Sequence, residues 1–372
     1  MKTLSLTAIA IFSASAVFAQ TKSNNVFQLS AQQLKHFADV QTLLSAPQNE
    51  IPVSTLSGKR QRLIAQVFEQ DGVDSVVYKY SAGKGSQYNY NHILEPGYST
   101  VLAPTLAPAC ANTYSQASTD VPADSFAAYY NSNCYYRSRG SYNTFTKLDS
   151  FYRFDVGTEL ENEEWGYISY NADGLVDTLI NAVAGLDGGK APVYLRAIKY
   201  NKARQVVDDK GYYNQDGAWM DMQQFRYRYN STGHLDTLTS IGTDGYSEQS
   251  VISYDAAGRM TRLKLYALNE SGAYEHYLTD TFGYTSGIAY ITSFEELYFN
   301  EGLQEGGVRI IQHPGLNGKP DSIVSEVLIG EHWVTATQGK FAYNDYGNPS
   351  SITFTEVMSG ATSSLRFHYE TY

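Results

Sequence analysis

Aromatic and polar residues alternate along much of the second half of the chain, the two-residue period of strands that bury one face. Phe225, Tyr227 and Tyr229 share one parity, while Gln224, Arg226 and Arg228 take the other. The arrangement recurs at Phe282 and Tyr284 and again at Phe341 and Tyr343. In each case a further aromatic, Trp219, Tyr274 or Trp333, stands ten residues before the last Tyr. Strict alternation places all of these rings on a single face of a sheet.

Each such strand runs into a turn with its own signature, Tyr, then Asn or Asp, then Gly three residues on. Copies stand at Tyr170-Asn171-Ala172-Asp173-Gly174, Tyr229-Asn230-Ser231-Thr232-Gly233, Tyr254-Asp255-Ala256-Ala257-Gly258 and Tyr343-Asn344-Asp345-Tyr346-Gly347. Weaker copies lie at Tyr200-Asn201, where Arg204 replaces Gly, at Tyr284 to Gly287, and before Gly318. The Asx side chain accepts a local backbone hydrogen bond and Gly takes the left-handed conformation, as in a type I turn with a Gly bulge. After the Gly, Asp or a hydroxyl residue comes at the third position (Asp177, Asp236, Thr261, Asp321, Ser350) and an aliphatic residue at the fifth (Leu179, Leu238, Leu263, Ile323, Ile352). A second kind of turn, at Asp216-Gly217, Asp244-Gly245 and Ser271-Gly272, joins one unit to the next.

The anchors recur about every 29 residues, a period that signifies a repeat architecture. The fold predicted is all-β, an antiparallel meander of tandem β-hairpin repeats forming an extended, twisted or partly wrapped sheet. Residues 161–372 form the hairpin-repeat domain, and residues 61–160 are a divergent β region interrupted by a Pro, Ser and Asn-rich insertion at 96–140. Residues 20–60 form a leader in which Ser30 to Leu44 has the spacing of one short helix. Residues 1–19 read as a signal peptide: Lys2, an apolar stretch from Leu4 to Phe12, and Val17 and Ala19 at the positions a signal peptidase reads before Gln20. Export to the periplasm, the cell surface or the medium is therefore expected.

The segment Tyr254-Asp255-Ala256-Ala257-Gly258-Arg259-Met260 resembles the tyrosine–aspartate (YD, or RHS-type) repeat of exported bacterial proteins. The other copies keep the aromatic, the Asx and the Gly but lose the Arg, and the resemblance extends loosely over residues 165–360. It implies hairpin sheets that wrap into shells or build surface stalks, with repeats that are not themselves catalytic.

Composition sharpens this picture. With 32 Tyr, 30 Gly and only 17% charged residues, the chain is rich in strand and turn formers. Its net charge of −11 works against binding nucleic acid, whose phosphates call for clustered Lys and Arg. No second apolar run is long enough to span a membrane as a helix. The two cysteines, Cys110 and Cys134, read as one disulfide in an exported chain.

Candidate chemistry is sparse. The sequence has no nucleophile elbow, phosphate-binding loop or zinc-protease helix motif, and it calls for no cofactor and no metal. His276 and Asp280 share a strand parity but stand about 13 Å apart. Asn171 and Asp173 suggest a calcium loop only in part, because the later carboxylate is missing. The recurring Asp after the turn is expected to satisfy local amides. Trp219, Tyr274 and Trp333 are the candidate binding residues, a stacking platform for polysaccharide or peptide if they face solvent. The function expected is therefore a non-catalytic secreted or cell-surface scaffold, adhesin or glycan- or peptide-binding surface. Two alternatives stand beside it: a carbohydrate-active enzyme with paired carboxylates, and an envelope transport or assembly factor.

Overall fold

The computed structural model describes residues 61–69, 73–79, 125–130, 133–142, 148–155, 162–184, 189–288 and 290–371. They form twenty strands and, among the described residues, no helix. The first five are β1 (Gln61–Glu69), β2 (Val73–Lys79), β3 (Ser125–Tyr130), β4 (Asn133–Tyr142) and β5 (Leu148–Asp155). The next five are β6 (Asn162–Tyr170), β7 (Val176–Ala184), β8 (Lys190–Tyr200), β9 (Val206–Gln215) and β10 (Ala218–Tyr229). Then follow β11 (Leu235–Gly242), β12 (Ser247–Tyr254), β13 (Met260–Leu268), β14 (Tyr274–Gly283) and β15 (Ser293–Asn300). The last are β16 (Leu303–Pro314), β17 (Pro320–Ile329), β18 (His332–Tyr343), β19 (Pro349–Glu356) and β20 (Thr362–Thr371).

Every strand pairs antiparallel with the next along the chain, so the meander of tandem hairpins is the fold. The sheet wraps far enough that β1 pairs with β20 as well as with β2. β3 and most of β4 fall inside the segment 96–140 expected as a loop excursion, where Phe126, Tyr129, Tyr130, Tyr135 and Tyr136 favour strand. Cys110 and the helix expected at Ser30 to Leu44 lie outside the described residues.

The turns follow the sequence signature closely. Gly174, Gly233, Gly258 and Gly347 have φ of 71, 87, 79 and 73°, and Arg204 takes the same left-handed conformation at 64° in the copy that lacks Gly. Asn171 Oδ1 accepts from the N–H groups of Asp173 and Leu175, both at 3.0 Å. Asn230, Asp255 and Asn344 each accept the same two bonds. With Asn171 so engaged, its oxygen serves the turn.

Two kinds of β-bulge recur along the hairpins and fix which side chains face the core. The first falls three residues after the Gly position, at Asp149, Asp177, Val207, Asp236, Thr261, Asp321 and Ser350, each left without a partner opposite the anchor aromatic or its equivalent. A bulge shifts the alternation by one. Val176 and Leu179, three apart, therefore both point inward at 3% and 5% exposure, as do Met260 and Leu263. The expectation that this Asp serves local amides is corrected at Asp236. Asp236 instead takes Arg228 Nε at 2.8 Å across the hairpin, and Thr261 donates to the Ser253 carbonyl.

The second bulge lies seven residues before the anchor Tyr: Tyr135, Val193, Met222, Tyr277 and Ala336 precede Tyr142, Tyr200, Tyr229, Tyr284 and Tyr343. Phe225, Phe282 and Phe341, on the turn side of it, are core residues. Trp219, Tyr274 and Trp333, beyond it, are switched to the opposite face. The expectation that all these aromatics share a face is thus corrected. His276 and Asp280 are likewise parted onto opposite faces by the bulge at Tyr277.

The core is one large apolar cluster running from β11 round to β1, with a smaller one under β6 to β9. Anchor tyrosines tie successive repeats together. The hydroxyls of Tyr200, Tyr254 and Tyr284 donate to the carbonyls of Val176, Leu235 and Met260 at 2.7, 2.8 and 2.8 Å. Tyr343 does the same to Pro320, and Tyr229 instead accepts from the Val206 N–H. The residue after each Gly adds to this seam: Arg259 lies 4.3 Å over the Tyr284 ring, and His234 packs on Tyr254.

Candidate functional site

The outer face of the sheet, away from the core, is mostly polar along the turn-proximal half of the strands. Arg226, Arg228, Arg262, Lys264, Glu295, Arg309, Glu326 and Lys340 all project there. Such a face is the reverse of the apolar band that a lipid-exposed barrel requires. Beyond the second bulge the outer face becomes aromatic.

On β13 to β15 the strand register brings three rings side by side. Tyr266 stands opposite His276 with ring centroids 5.2 Å apart, and His276 lies 4.3 Å from Phe299. Next to them is Tyr274, whose hydroxyl reaches across β13 to Ser247 Oγ at 2.7 Å. That bond lays the phenol ring along the sheet while leaving it 40% exposed. Burial pushes the His276 imidazole below its ordinary value; the bond to the Leu278 carbonyl opposes this and Lys264 adds to it. This favours the neutral form of the ring near pH 7.

Of the three residues singled out by sequence, Tyr274 belongs to this cluster. Trp219 and Trp333 are on strands four positions away on either side, about 19 Å at the usual spacing. Trp219 is 38% exposed on β10. Trp333 is half-buried, with its ring close over Gly307 and the Arg309 guanidinium 4.6 Å from it. Glu326 holds that guanidinium at 2.6 Å. The three thus share a face and one end of the sheet without converging on one point. Sequence reading missed Tyr266 and Phe299 and considered His276 only beside Asp280, because only the register places the three rings on adjacent strands.

The core face carries its own polar groups. Arg196 and Asp209 form a bidentate pair, Nε to Oδ1 and Nη2 to Oδ2 both at 2.8 Å, and Tyr227 donates to Asp209 at 2.5 Å. Burial alone would pull the Arg196 guanidinium down, but Asp209 holds it well above its usual value. On β14 and β15, Asp280 stands directly opposite Glu296, and Tyr298 donates to Glu296. Opposed side chains in a sheet have Cβ atoms about 5 Å apart, near the carboxyl spacing of retaining glycosidases. Their exposures of 1% and 6% leave no path for a polymeric substrate. Burial also raises the Tyr277 phenol, with its hydrogen bond to Glu248 adding to the rise. Among the described residues no three His, Cys, Asp or Glu side chains gather as a metal site would require.

No protein-family model matches the chain, and no curated protein does. Among solved structures it is similar to a porin-like protein from Bacteroides uniformis, at 11% identity and a TM-score of 0.31, covering 59% of this chain and 96% of that one. A porin-like protein from Bacteroides vulgatus gives 13% identity and a TM-score of 0.23 over 58% and 96% of the two chains. TcdB2-TccC3 without its hypervariable C-terminal region gives 9% and 0.20, covering 76% of this chain and 19% of that one. Likeness this distant carries no functional argument, so the reading of this chain rests on its own residues.

Proposed function

We propose that the chain is an exported, non-catalytic binding scaffold whose outer aromatic cluster, Tyr266, Tyr274, His276 and Phe299, holds surface polysaccharide by ring stacking. The observation that carries this reading is the second bulge. It recurs at one position in five repeats, and in three of them it turns an aromatic, Trp219, Tyr274 or Trp333, out of the core. A large ring costs apolar burial when it is turned to water, and a flat ring on an open sheet face suits a sugar ring. The residues that recur most regularly are engaged in turns, bulges and repeat-to-repeat bonds, which favours a structural role for the repeats. Kinship with YD-type repeats is part of this proposal. Its support is Arg259, which bonds Asp255 Oδ2 at 2.7 Å and lies over the next anchor ring.

The test is retention of the exported form on immobilised polysaccharides, with soluble products assayed in parallel. Tyr274→Ala and Tyr266→Ala should weaken retention several-fold, and Leu316→Ala, fully exposed at the opposite end, should not. Soluble products released by the exported form would establish the enzyme alternative instead.

A further inference from the structure

The two ends of the hairpin sheet differ in charge. At the end distant from the anchor turns, five successive hairpin tips cover residues 215–219, 243–246, 269–274, 300–304 and 329–333. Each holds one exposed carboxylate, Asp216, Asp244, Glu270, Glu301 and Glu331, and none holds a Lys or Arg. Among the described residues none of the five forms an ion pair. The anchor-turn end is balanced, with Lys202, Arg204, Arg259 and Lys319 against Asp173, Asp255 and Asp345.

The acidic tips also carry exposed apolar side chains. Tyr246 is 37% exposed, Leu303 72% and Ile329 58%, each within two residues of its tip carboxylate. On the following tip Met358 is 94% exposed. A solvated, purely repulsive rim would need no such groups, and single apolar side chains beside carboxylates on separate tips suit a partner that is both charged and apolar.

We infer that this rim docks a cationic amphipathic helix of a partner protein. Successive tips are two strands apart, about 10 Å. A helix advances about 10.5 Å in seven residues, so a basic residue at every seventh position meets one carboxylate per tip. Leucines beside them meet Leu303 and Ile329. The acidic rim repels anionic lipid and nucleic acid and draws a basic segment by long-range attraction. This surface is separate from the aromatic cluster apart from Tyr274, which borders both.

The test uses the folded full-length protein and a labelled helical peptide of about 21 residues, long enough to span three tips, with Lys at seven-residue spacing flanked by Leu. Binding is read by fluorescence anisotropy near physiological salt. The triple variant Glu270→Gln/Glu301→Gln/Glu331→Gln should weaken binding about tenfold or more. An equal change of charge at the other end, Asp173→Asn/Asp321→Asn/Asp345→Asn, should change it less than about twofold. A peptide with the leucines replaced by Ser should bind more weakly than the parent. Equal losses in both triple variants, undiminished binding of the Ser peptide, or no binding to the unaltered protein would each overturn the proposal.

Discussion

Replacing Arg196 by Met should destabilise the protein by about 3–5 kcal/mol, the cost of leaving a buried charge without its partner. The structure sets this magnitude at the high end of single substitutions. Asp209 is fully buried, both its oxygens accept from Arg196, and its remaining neighbour is the Tyr227 hydroxyl, itself 3.2 Å from Arg196 Nη2. The guanidinium also lies 4.1 Å over the Phe225 ring, so Met keeps much of the packing while removing the charge. Asp209→Leu should cost a similar amount by stranding the arginine. The double variant Arg196→Met/Asp209→Leu removes both charges together. It should return to within about 2 kcal/mol of the parent, the remainder being about 1 kcal/mol for the lost bond from the Tyr227 hydroxyl and some repacking. Urea unfolding followed by tryptophan fluorescence, with unchanged m-values, supplies the three free energies. A double variant at the simple sum of the single costs would refute the coupling. A cost below about 1 kcal/mol for Arg196→Met would refute the burial argument itself.

The anchor hydroxyls and His276 yield two more expectations. Tyr284→Phe should cost about 1 kcal/mol by unmaking the bond to Met260, and Tyr254→Phe should add independently because it joins a different pair of repeats; unchanged urea midpoints would dismiss the seam. Because the folded His276 imidazole lies below its ordinary value of 6.5, the unfolded chain takes up that proton first. The contribution is whole above about pH 6.5 and declines as pH falls through that value toward the folded one, so His276→Gln should flatten the loss of stability between about pH 7 and 5. An unaltered slope in the variant would show that the imidazole is not responsible.

What the sequence made legible was local. The Asx and Gly of each turn act within five residues of one another, so their geometry could be anticipated, including the left-handed glycines. Bulges could not be anticipated in this way. The residues at the second bulge, Tyr135, Val193, Met222, Tyr277 and Ala336, share no chemistry, and only their constant distance from the anchor Tyr marks them. Alternation carried past that point assigns Trp219 and Trp333 to the wrong face. The first bulge did leave a trace, the Asp or hydroxyl residue after the turn, together with an aliphatic spacing of three that flat alternation cannot bury. The Arg196–Asp209 pair and the Tyr266, His276 and Phe299 cluster depend on strand register. Nothing in their sequence neighbourhoods sets them apart from surface residues.

The pairing of β1 with β20 has a consequence for assembly. Arg62 meets Glu370 across a separation of 308 positions, whereas each hairpin pairs strands that are consecutive in the chain. From β3 onward the hairpins add one after another over short connections, and the long-range contact is the slowest kind to form. Until it forms, the growing sheet has two unpaired edges, each a template for other chains. Once it forms, β1 and β20 cap each other, and the edge groups that would recruit a foreign strand are consumed within the molecule.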